Sequence, residues 1–414
     1  MPNASGDRVD PARATVLVLG VGIQGRAVVQ DLDRSAVGRV IAADTDDGRA
    51  REYLRSIGAG RTTACQLDAR DQIALRQLCG GVDLVVNMLP ARFEEPVLRV
   101  AIDAGVHLVS TNYAHALRAF DEAAARRGIV VMPEAGFDPG IDLVIARQAV
   151  EEFDEIDTLV SYGAGIPAPD CRDVNPINYK ISWSFEGVLR SYARPAHVVM
   201  EGQPCQVAAR DIFDPAWTHL VSFDGLGEFE AFVNGDAVEF LHLLGIERSV
   251  RTSARYSLRW PGHCAFWRRL AHLGFLDEEA VEGAGLSPRE FLRRHLEPRL
   301  HYEPGERDMI MLRIDARGTR GGQRAAARWE MVECADAQSG VLAMSRAVGC
   351  PASIVAQMIL GGVITRKGVG CPARDVPPAP FFDALQQRGI TIRRTTLKPE
   401  ATGLQARGTR RQDG

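Results

Sequence analysis

The stretch from Thr15 to Asp44 limits the possible folds of this chain more than any other. Val16-Leu17-Val18-Leu19 is a short, β-branched apolar run, the pattern of a buried parallel strand. Gly20-Val21-Gly22-Ile23-Gln24-Gly25 follows, a complete G-x-G-x-x-G. Val28, Val29 and Leu32 then recur at helical spacing, and Val40-Ile41-Ala42-Ala43 is a second apolar run ending in Asp44. Strand, glycine turn, helix, strand and acid in that order predict a βαβ unit that binds a dinucleotide. Gly20 permits the tight turn, Gly22 lets the backbone approach a pyrophosphate, and Gly25 lets the helix lie close to the sheet. Ile23 and Gln24 complete the loop, and the helix N-terminus offers its N–H groups to the phosphates. At Asp44 a carboxylate can receive both ribose hydroxyls and repel a 2′-phosphate, so the expected cofactor is NAD rather than NADP. A glycine turn in some other α/β protein is the plainer alternative.

Alternation continues beyond Asp44. Helices are expected at 48–56, 72–78, 96–104 and 114–127, and strands at 62–67, 82–87, 106–109 and 129–132. Six strands with helices between them predict a doubly wound Rossmann domain of α/β class. Ligands in such sheets lie beyond the carboxyl ends of the strands, which places Leu89, Pro90, Asn112, Tyr113 and Glu134 on the functional edge. Asp138 follows the sixth strand. It can cap the next helix, 143–153, with Pro139 in the first turn, or it can face the nicotinamide.

From Ile156 the pattern changes to long, alternating strands at 158–163, 196–200, 228–233, 253–260, 308–316 and 325–334, with helices chiefly at 265–273 and 288–296. These predict a second, α+β domain with a mainly antiparallel sheet. Such a sheet with one open face can pair with a copy of itself, so a homodimer is expected. Helices return at 341–346, 353–360 and 380–387, with a possible strand at 391–394. The expected division is a leader, 1–14; a discontinuous Rossmann domain, 15–138 with 341–396; a substrate-binding and dimerisation domain, 139–340; and a loose tail, 397–414.

Composition removes several classes. The net charge of −4 over 414 residues makes no case for nucleic-acid binding. No apolar run approaches the ~20 residues of a membrane span, and residues 1–14 lack the apolar core of a signal peptide. The eight cysteines form no C-x-x-C and no metal-type spacing, so no metal and a cytoplasmic, reduced protein are expected.

Two clusters of the second domain mix aromatics, cations and hydroxyls. One runs from Gly165 through Asn175-Pro176-Ile177-Asn178-Tyr179-Lys180-Ile181-Ser182-Trp183-Ser184-Phe185-Glu186-Gly187; the other is Leu258-Arg259-Trp260-Pro261-Gly262-His263. They suit a pocket for a small zwitterion. They equally suit core aromatics with Lys180 and Arg259 solvated.

Together with Gly136-Phe137-Asp138-Pro139-Gly140-Ile141-Asp142 and Glu306-Arg307-Asp308-Met309-Ile310-Met311-Leu312, these stretches resemble the saccharopine dehydrogenase-like family, from about Thr15 to about Arg393. The resemblance implies a Rossmann domain closed by C-terminal helices, an α+β domain that also mediates dimerisation, and oxidation of an amine carbon by a nicotinamide. Two branches compete. The Asp-Pro-Gly-Ile-Asp and Tyr-Lys-Ile-Ser-Trp-Ser stretches resemble saccharopine reductases. Phe185-Glu186-Gly187, Arg259 to His263, and 355–365 resemble lysine 6-dehydrogenase. Saccharopine reductases carry an arginine-bearing loop where Asp44 stands, and an Asn-Arg-Asp where this chain has Asn234-Gly235-Asp236. Both departures favour NAD and a smaller amino acid, so the expected activity is that of lysine 6-dehydrogenase, with saccharopine turnover as the alternative. A non-catalytic NAD-binding protein is the further rival.

The amine must lose its proton before it can release a hydride, and a free lysine amine has a pKa of ~10.4. Asp138 is the first candidate base, from its position and from the resemblance, and His263 the second. Lys180 could hold a carboxylate or relay a proton if burial lowers its pKa. The expected substrate-binding set is Asn112, Tyr113, Asp138, Gly165, Lys180, Arg259 and His263. The expected cofactor-binding set is Gly20, Gly22, Ile23, Gln24, Gly25, Asp44, Leu89, Pro90 and Asn112.

Overall fold

Strand β1 (Thr15–Leu19) is buried almost throughout and runs into the glycine turn before helix α1 (Gly25–Asp33). The alternation then proceeds through β2 (Arg39–Asp44), α2 (Asp47–Ser56), β3 (Thr62–Gln66), α3 (Gln72–Cys79), β4 (Leu84–Asn87), α4 (Glu94–Ala104), β5 (His107–Ser110), α5 (Asp121–Arg126) and β6 (Val130–Met132). Helix α4 ends at Gly105, whose φ of 74° closes the last turn in the left-handed region. The helix expected at 114–127 is shorter. Its first residues form a turn in which the Ala114 amide donates to Glu134 Oε1 at 3.2 Å. The computed structural model describes residues 10–335 and 341–399. Of the expected leader, residues 10–14 are described: they form a 3-10 turn, and Ala14 is fully buried.

Helix α6 (Ile141–Glu152) carries the chain into a second compact unit, Ile145–Met344 with Thr391–Gly414; the first is Met1–Val144 with Ser345–Ile390. The second unit opens with the long strand β7 (Glu155–Pro167), then α7 (Phe185–Tyr192), β8 (Ala196–Met200), β9 (Gln203–Val207), β10 (Thr218–Phe223), β11 (Gly227–Val233), α8 (Ala237–Leu244) and β12 (Thr252–Arg259). Helices α9 (His263–His272) and α10 (Pro288–Leu296) follow, and then the hairpin of β13 (Asp308–Arg320) and β14 (Gln323–Cys334). Both strands run past their expected limits because Gly321 and Gly322, with φ of 57° and 72°, supply a two-residue turn that keeps the ladder paired to Arg320 and Gln323. Helices α7 and α8 are short and begin at side-chain caps, Ser184 and Asp236, which accept the amides of Gly187 and Glu239.

Helix α11 (Ala343–Leu360) returns the chain to the first unit. It is one helix where two were expected. Pro351 lies inside it, where it forfeits one backbone bond, and the burial of Ala347, Ala352, Val355 and Ala356 offsets that loss. The helix is apolar over its 18 residues but largely buried. Strand β15 (Gly368–Val369), helices α12 (Pro372–Asp375) and α13 (Pro378–Gln387), and strand β16 (Arg393–Leu397) complete the described chain.

The first sheet has the order β15-β6-β5-β4-β1-β2-β3, parallel throughout, so the strand order reverses beside β1. Its side chains meet in one core that includes Leu17, Val85, Leu98, Leu108, Val131 and Val369. The second sheet runs β10-β11-β12-β7-β13-β14-β16, with β8 and β9 attached to β12. It is antiparallel except where β12 pairs with β7 in parallel, so it is mixed. One of its cores gathers Tyr179, Phe185, Tyr192, Phe213, Phe232 and Trp267.

Candidate active site

In the first unit the glycine turn has the shape its residues imply. Gly20 has φ of 89°, and its amide donates to the Ala43 carbonyl at 2.8 Å, tying the turn to β2. A Cβ at Gly25 would stand 1.9 Å from the Gly20 carbonyl oxygen, so only glycine lets α1 start this close to the turn. A Cβ at Gly22 would meet nothing within 4 Å, and Gly22 and Ile23 are exposed. Gln24, at the N-cap of α1, makes no capping bond, whereas α2 and α3 are capped by Asp46 and Asp71. The start of α1 thus lacks a side-chain cap, although the Arg26 and Ala27 amides donate to the Gly22 and Gln24 carbonyls at 3.1 Å, and the exposed glycine turn before it is the ground on which phosphate oxygens are received.

Asp44 is half-buried at the end of β2. Its Oδ2 accepts the Val21 amide at 2.7 Å, and Oδ1 accepts the Asp46 amide at 3.1 Å. The carboxylate therefore joins the glycine turn to the loop after β2, and its charge is partly spent on two backbone donors. Beside it, at the carboxyl ends of β2 and β3, lies a cavity of about 510 Å³ lined by Thr45, Gln66, Leu67, Asp68, Arg70, Asp71 and Ala74. Arg70 grips Asp68 through Nε at 2.9 Å and holds its carboxyl down to about 2.

Leu89 lies against the turn, its Cδ2 3.1 Å from where a Gly20 Cβ would stand, and Pro90 beside it is exposed. Asn112 spends its amide nitrogen on the Leu89 carbonyl at 3.1 Å and on Glu94 Oε1 at 2.7 Å. Asn87 reaches the same Glu94 oxygen at 3.0 Å. Burial pushes the Glu94 carboxyl up, while the hydrogen bond from Asn112 acts against the rise. Asn112 thus holds the loop after β4 in place. Tyr113 is exposed and stacks on His115 with ring centroids 5.8 Å apart. Glu134 and Asn112 are joined by the Glu134 amide, which donates to the Asn112 carbonyl at 3.0 Å.

Asp138 is exposed between the buried residues Phe137 and Pro139, at the carboxyl end of the sheet. The start of α6 is tied by backbone bonds instead, from the Ile141 amide to the Gly136 carbonyl at 3.0 Å and from Asp142 to Phe137 at 3.3 Å. Asp142 Oδ1 accepts the Gly140 amide at 2.7 Å. Pro139 precedes the helix, joined to Asp138 by a cis peptide bond, and does not sit in its first turn.

In the second unit the sequence clusters come together in part. Arg259 ends β12, and His263 opens α9 one turn later, after Gly262 with φ of 98°. Both are buried, and they meet through Tyr192 of α7: Arg259 Nε donates to the Tyr192 hydroxyl at 3.3 Å, which lies 2.9 Å from His263 Nε2. Burial first, and the Arg259 charge second, keep His263 neutral well below its ordinary range. A sealed, neutral imidazole is not placed to exchange protons with a substrate, so its expected role as a base is corrected.

Lys180 is buried as well. Its Nζ donates to the His301 carbonyl at 3.0 Å and is paired with Glu306. Its amine nitrogen is therefore committed to two partners within the second unit. Gly165 lies in the middle of β7, where a Cβ would stand 2.3 Å from Met344 Cε and 3.0 Å from Ser182 Oγ. It is a position where only glycine fits the packing. At Gly235, with φ of 131°, the Cβ, Cδ and Nε of Arg255 stand 3.4 Å from where a Cβ would be. The Arg255 side chain of β12 therefore packs against Gly235. Reading the sequence alone missed Tyr192 and Glu306, whose partners are 71 and 126 positions away.

An open glycine turn on a parallel sheet, beside the point where the strand order reverses, defines a dinucleotide-binding domain. Residues 136–390 match the family model of the saccharopine dehydrogenase C-terminal domain, and residues 16–132 that of the saccharopine dehydrogenase NADP binding domain. The chain belongs to the saccharopine dehydrogenase family, oxidoreductases acting on CH–NH groups. It is 26% identical to the saccharopine dehydrogenase (NADP(+), L-glutamate-forming) of Schizosaccharomyces pombe, over 93% of this chain and 100% of that one. It is 28% identical to the mitochondrial alpha-aminoadipic semialdehyde synthase of Bos taurus, over 76% of this chain but only 41% of that one. The fold is that of apo saccharopine dehydrogenase (L-Glu forming) from Saccharomyces cerevisiae, with TM-score 0.83 at 24% identity, covering 93% of this chain and 100% of that structure. The NADP binding domain match, and relatives named for NADP(+), overturn the expectation of NAD. At Asp44 the carboxylate already accepts two backbone amides, so its place at the end of β2 does not by itself assign it to the ribose hydroxyls.

Proposed function

We propose that this enzyme interconverts saccharopine with L-glutamate and α-aminoadipic semialdehyde, using NADP. The relatives matched over the whole of their length favour this over the lysine 6-dehydrogenase expectation. The observation that carries it is Arg259, a guanidinium only 6% exposed. Among the described residues it has no carboxylate partner; its neighbours are the Tyr192 hydroxyl, the Leu258 carbonyl and the rings of Tyr179 and Phe232. A buried cation without a counter-charge is costly, and a substrate carboxylate would balance it. Saccharopine carries several carboxylates.

The residues present fit the dinucleotide. Gly20, Gly22, Ile23, Gln24 and Gly25 would hold its pyrophosphate. Leu89 and Pro90 would border the nicotinamide side, and Asp44 with the cavity edged by Thr45, Gln66 and Arg70 would border the adenosine side. When bound, the dinucleotide accepts a hydride from the carbon that bears the amine. Asp138 takes the proton from that amine, which frees the lone pair that expels the hydride. Water then adds to the resulting C=N carbon and releases L-glutamate. Tyr113, exposed at the same edge as Asp138, contacts substrate, and Asn112 fixes the loop beneath.

The test is absorbance of reduced nicotinamide with saccharopine and with L-lysine, each with NADP(+). Turnover of saccharopine and not of lysine is expected; turnover of lysine alone would overturn the reading. A homodimer formed through the second unit is supported by β10, which has no second pairing partner among the described residues and on which Leu220 is exposed. The scattered cysteines, none of them in a C-x-x-C pair, support a cytoplasmic location.

A further inference from the structure

We infer that Tyr192 and His263 are positioning residues that aim the Arg259 guanidinium at a substrate carboxylate. This rests on the reading that Arg259 receives that carboxylate. The guanidinium has five N–H donors in a rigid plane. Nε is taken by the Tyr192 hydroxyl at 3.3 Å, and one Nη1 hydrogen by the Leu258 carbonyl at 2.8 Å. Among the described residues nothing takes Nη2. The edge formed by Nη2 and the second Nη1 hydrogen is therefore the face presented to an anion, and two parallel bonds to a carboxylate fit it.

The plane of that face is set by what holds Nε. Tyr192 is fully buried and wedged edge-on between Phe213, Phe232 and Trp267, with ring centroids 5.0 to 5.7 Å away, so its oxygen has little freedom to move. A hydroxyl that accepts the Nε hydrogen must send its own hydrogen elsewhere, and the atom in reach is His263 Nε2 at 2.9 Å. The buried, neutral state of His263 leaves that nitrogen a lone pair to receive it. A protonated imidazole would turn its N–H toward the hydroxyl and place a second positive charge beside Arg259. The three side chains come from α7, β12 and α9, so the anion site exists only once these elements are packed.

The test is a set of variants assayed on saccharopine and NADP(+), with circular dichroism confirming the fold of each. Arg259→Met is expected to raise the KM for saccharopine about a hundredfold, and Tyr192→Phe about tenfold, the scale of one hydrogen bond to a charged group. The KM for NADP(+) is expected to stay unchanged, and kcat to stay within about twofold for Tyr192→Phe. In the Arg259→Met background Tyr192→Phe should add nothing, because the hydroxyl acts through the guanidinium. His263→Asn, which keeps an acceptor, should stay within about threefold of the parent KM, while His263→Leu should match Tyr192→Phe. If Tyr192→Phe raises KM equally in both backgrounds, or leaves it unchanged while Arg259→Met raises it, the relay is wrong and the anchor stands. If Arg259→Met itself leaves KM unchanged, the anchor reading fails and the relay falls with it.

Discussion

Asp138 and Gly25 illustrate what a single residue can and cannot reveal. Asp138→Asn is expected to lower kcat on saccharopine by about a hundredfold or more, the scale of a lost general base, with NADP(+) affinity unchanged by calorimetry. Gly25→Ala is expected to abolish measurable NADP(+) binding, since the new methyl would stand 1.9 Å from the Gly20 carbonyl oxygen and must push α1 away from the turn. The role of Gly25 was legible in the sequence because its partner is five positions away. The roles of His263 and Lys180 were not, because Tyr192 and Glu306 lie 71 and 126 positions distant and reach them only through the fold. Asp44 was legible as a position but misread as a cofactor signal, because a residue letter does not show that two backbone amides already engage its carboxylate.

At the level of elements, two buried groups give the chain opposite responses to pH. His107 opens β5, and its Nδ1 accepts the Val130 amide at 2.9 Å, doing the work of a ladder bond to β6. Burial first, and Lys367 second, lower it from 6.5 to about 4. Between those values the unfolded chain binds the extra proton and the native one does not. The contribution of His107 is therefore present above pH 6.5 and lost as pH falls to about 4, an effect on the order of 3 kcal/mol.

Asp308 opens β13 and caps α11, accepting the amides of Ala343 at 2.6 Å and Met344 at 2.8 Å. Burial pushes it from 3.8 up to about 6, against the pull of those two bonds. Here the native state holds the proton, so stability falls as pH rises from about 4 to about 6. The two windows overlap and oppose one another, so urea unfolding of the parent should change little from about pH 4 to about pH 6; His107→Gln should leave a net fall in stability as pH rises, and Asp308→Asn, which keeps one of the two cap bonds, a net rise. Most strands of the first unit, and the start of α4 with its Gly105 stop, were legible because propensity and burial agree there. Helix α11 was not, since a proline reads locally as a break while the buried surface around Pro351 keeps the helix whole.

At the scale of the molecule, the first unit is discontinuous, and its late segment is part of its core. Gly349 of α11 lies against α1 so closely that a Cβ would stand 2.7 Å from Ala27 Cβ and 2.8 Å from the Val28 nitrogen. Gly349→Val is expected to lower stability by roughly 1–3 kcal/mol through overpacking, measured by thermal unfolding. Light scattering should give twice the mass of one chain if the proposed dimer forms. The sequence by itself determined the glycine turn, the parallel first sheet, the mainly antiparallel second sheet and the family, because each depends on periodicities and glycines acting over a few residues. Tertiary structure alone decided that Lys180 is paired with Glu306, that His263 is buried against Tyr192, and that Arg259 is buried with no carboxylate partner among the described residues. Those properties depend on which distant side chains exclude water around a group and which supply its countercharge, and neighbours in the chain do not specify either.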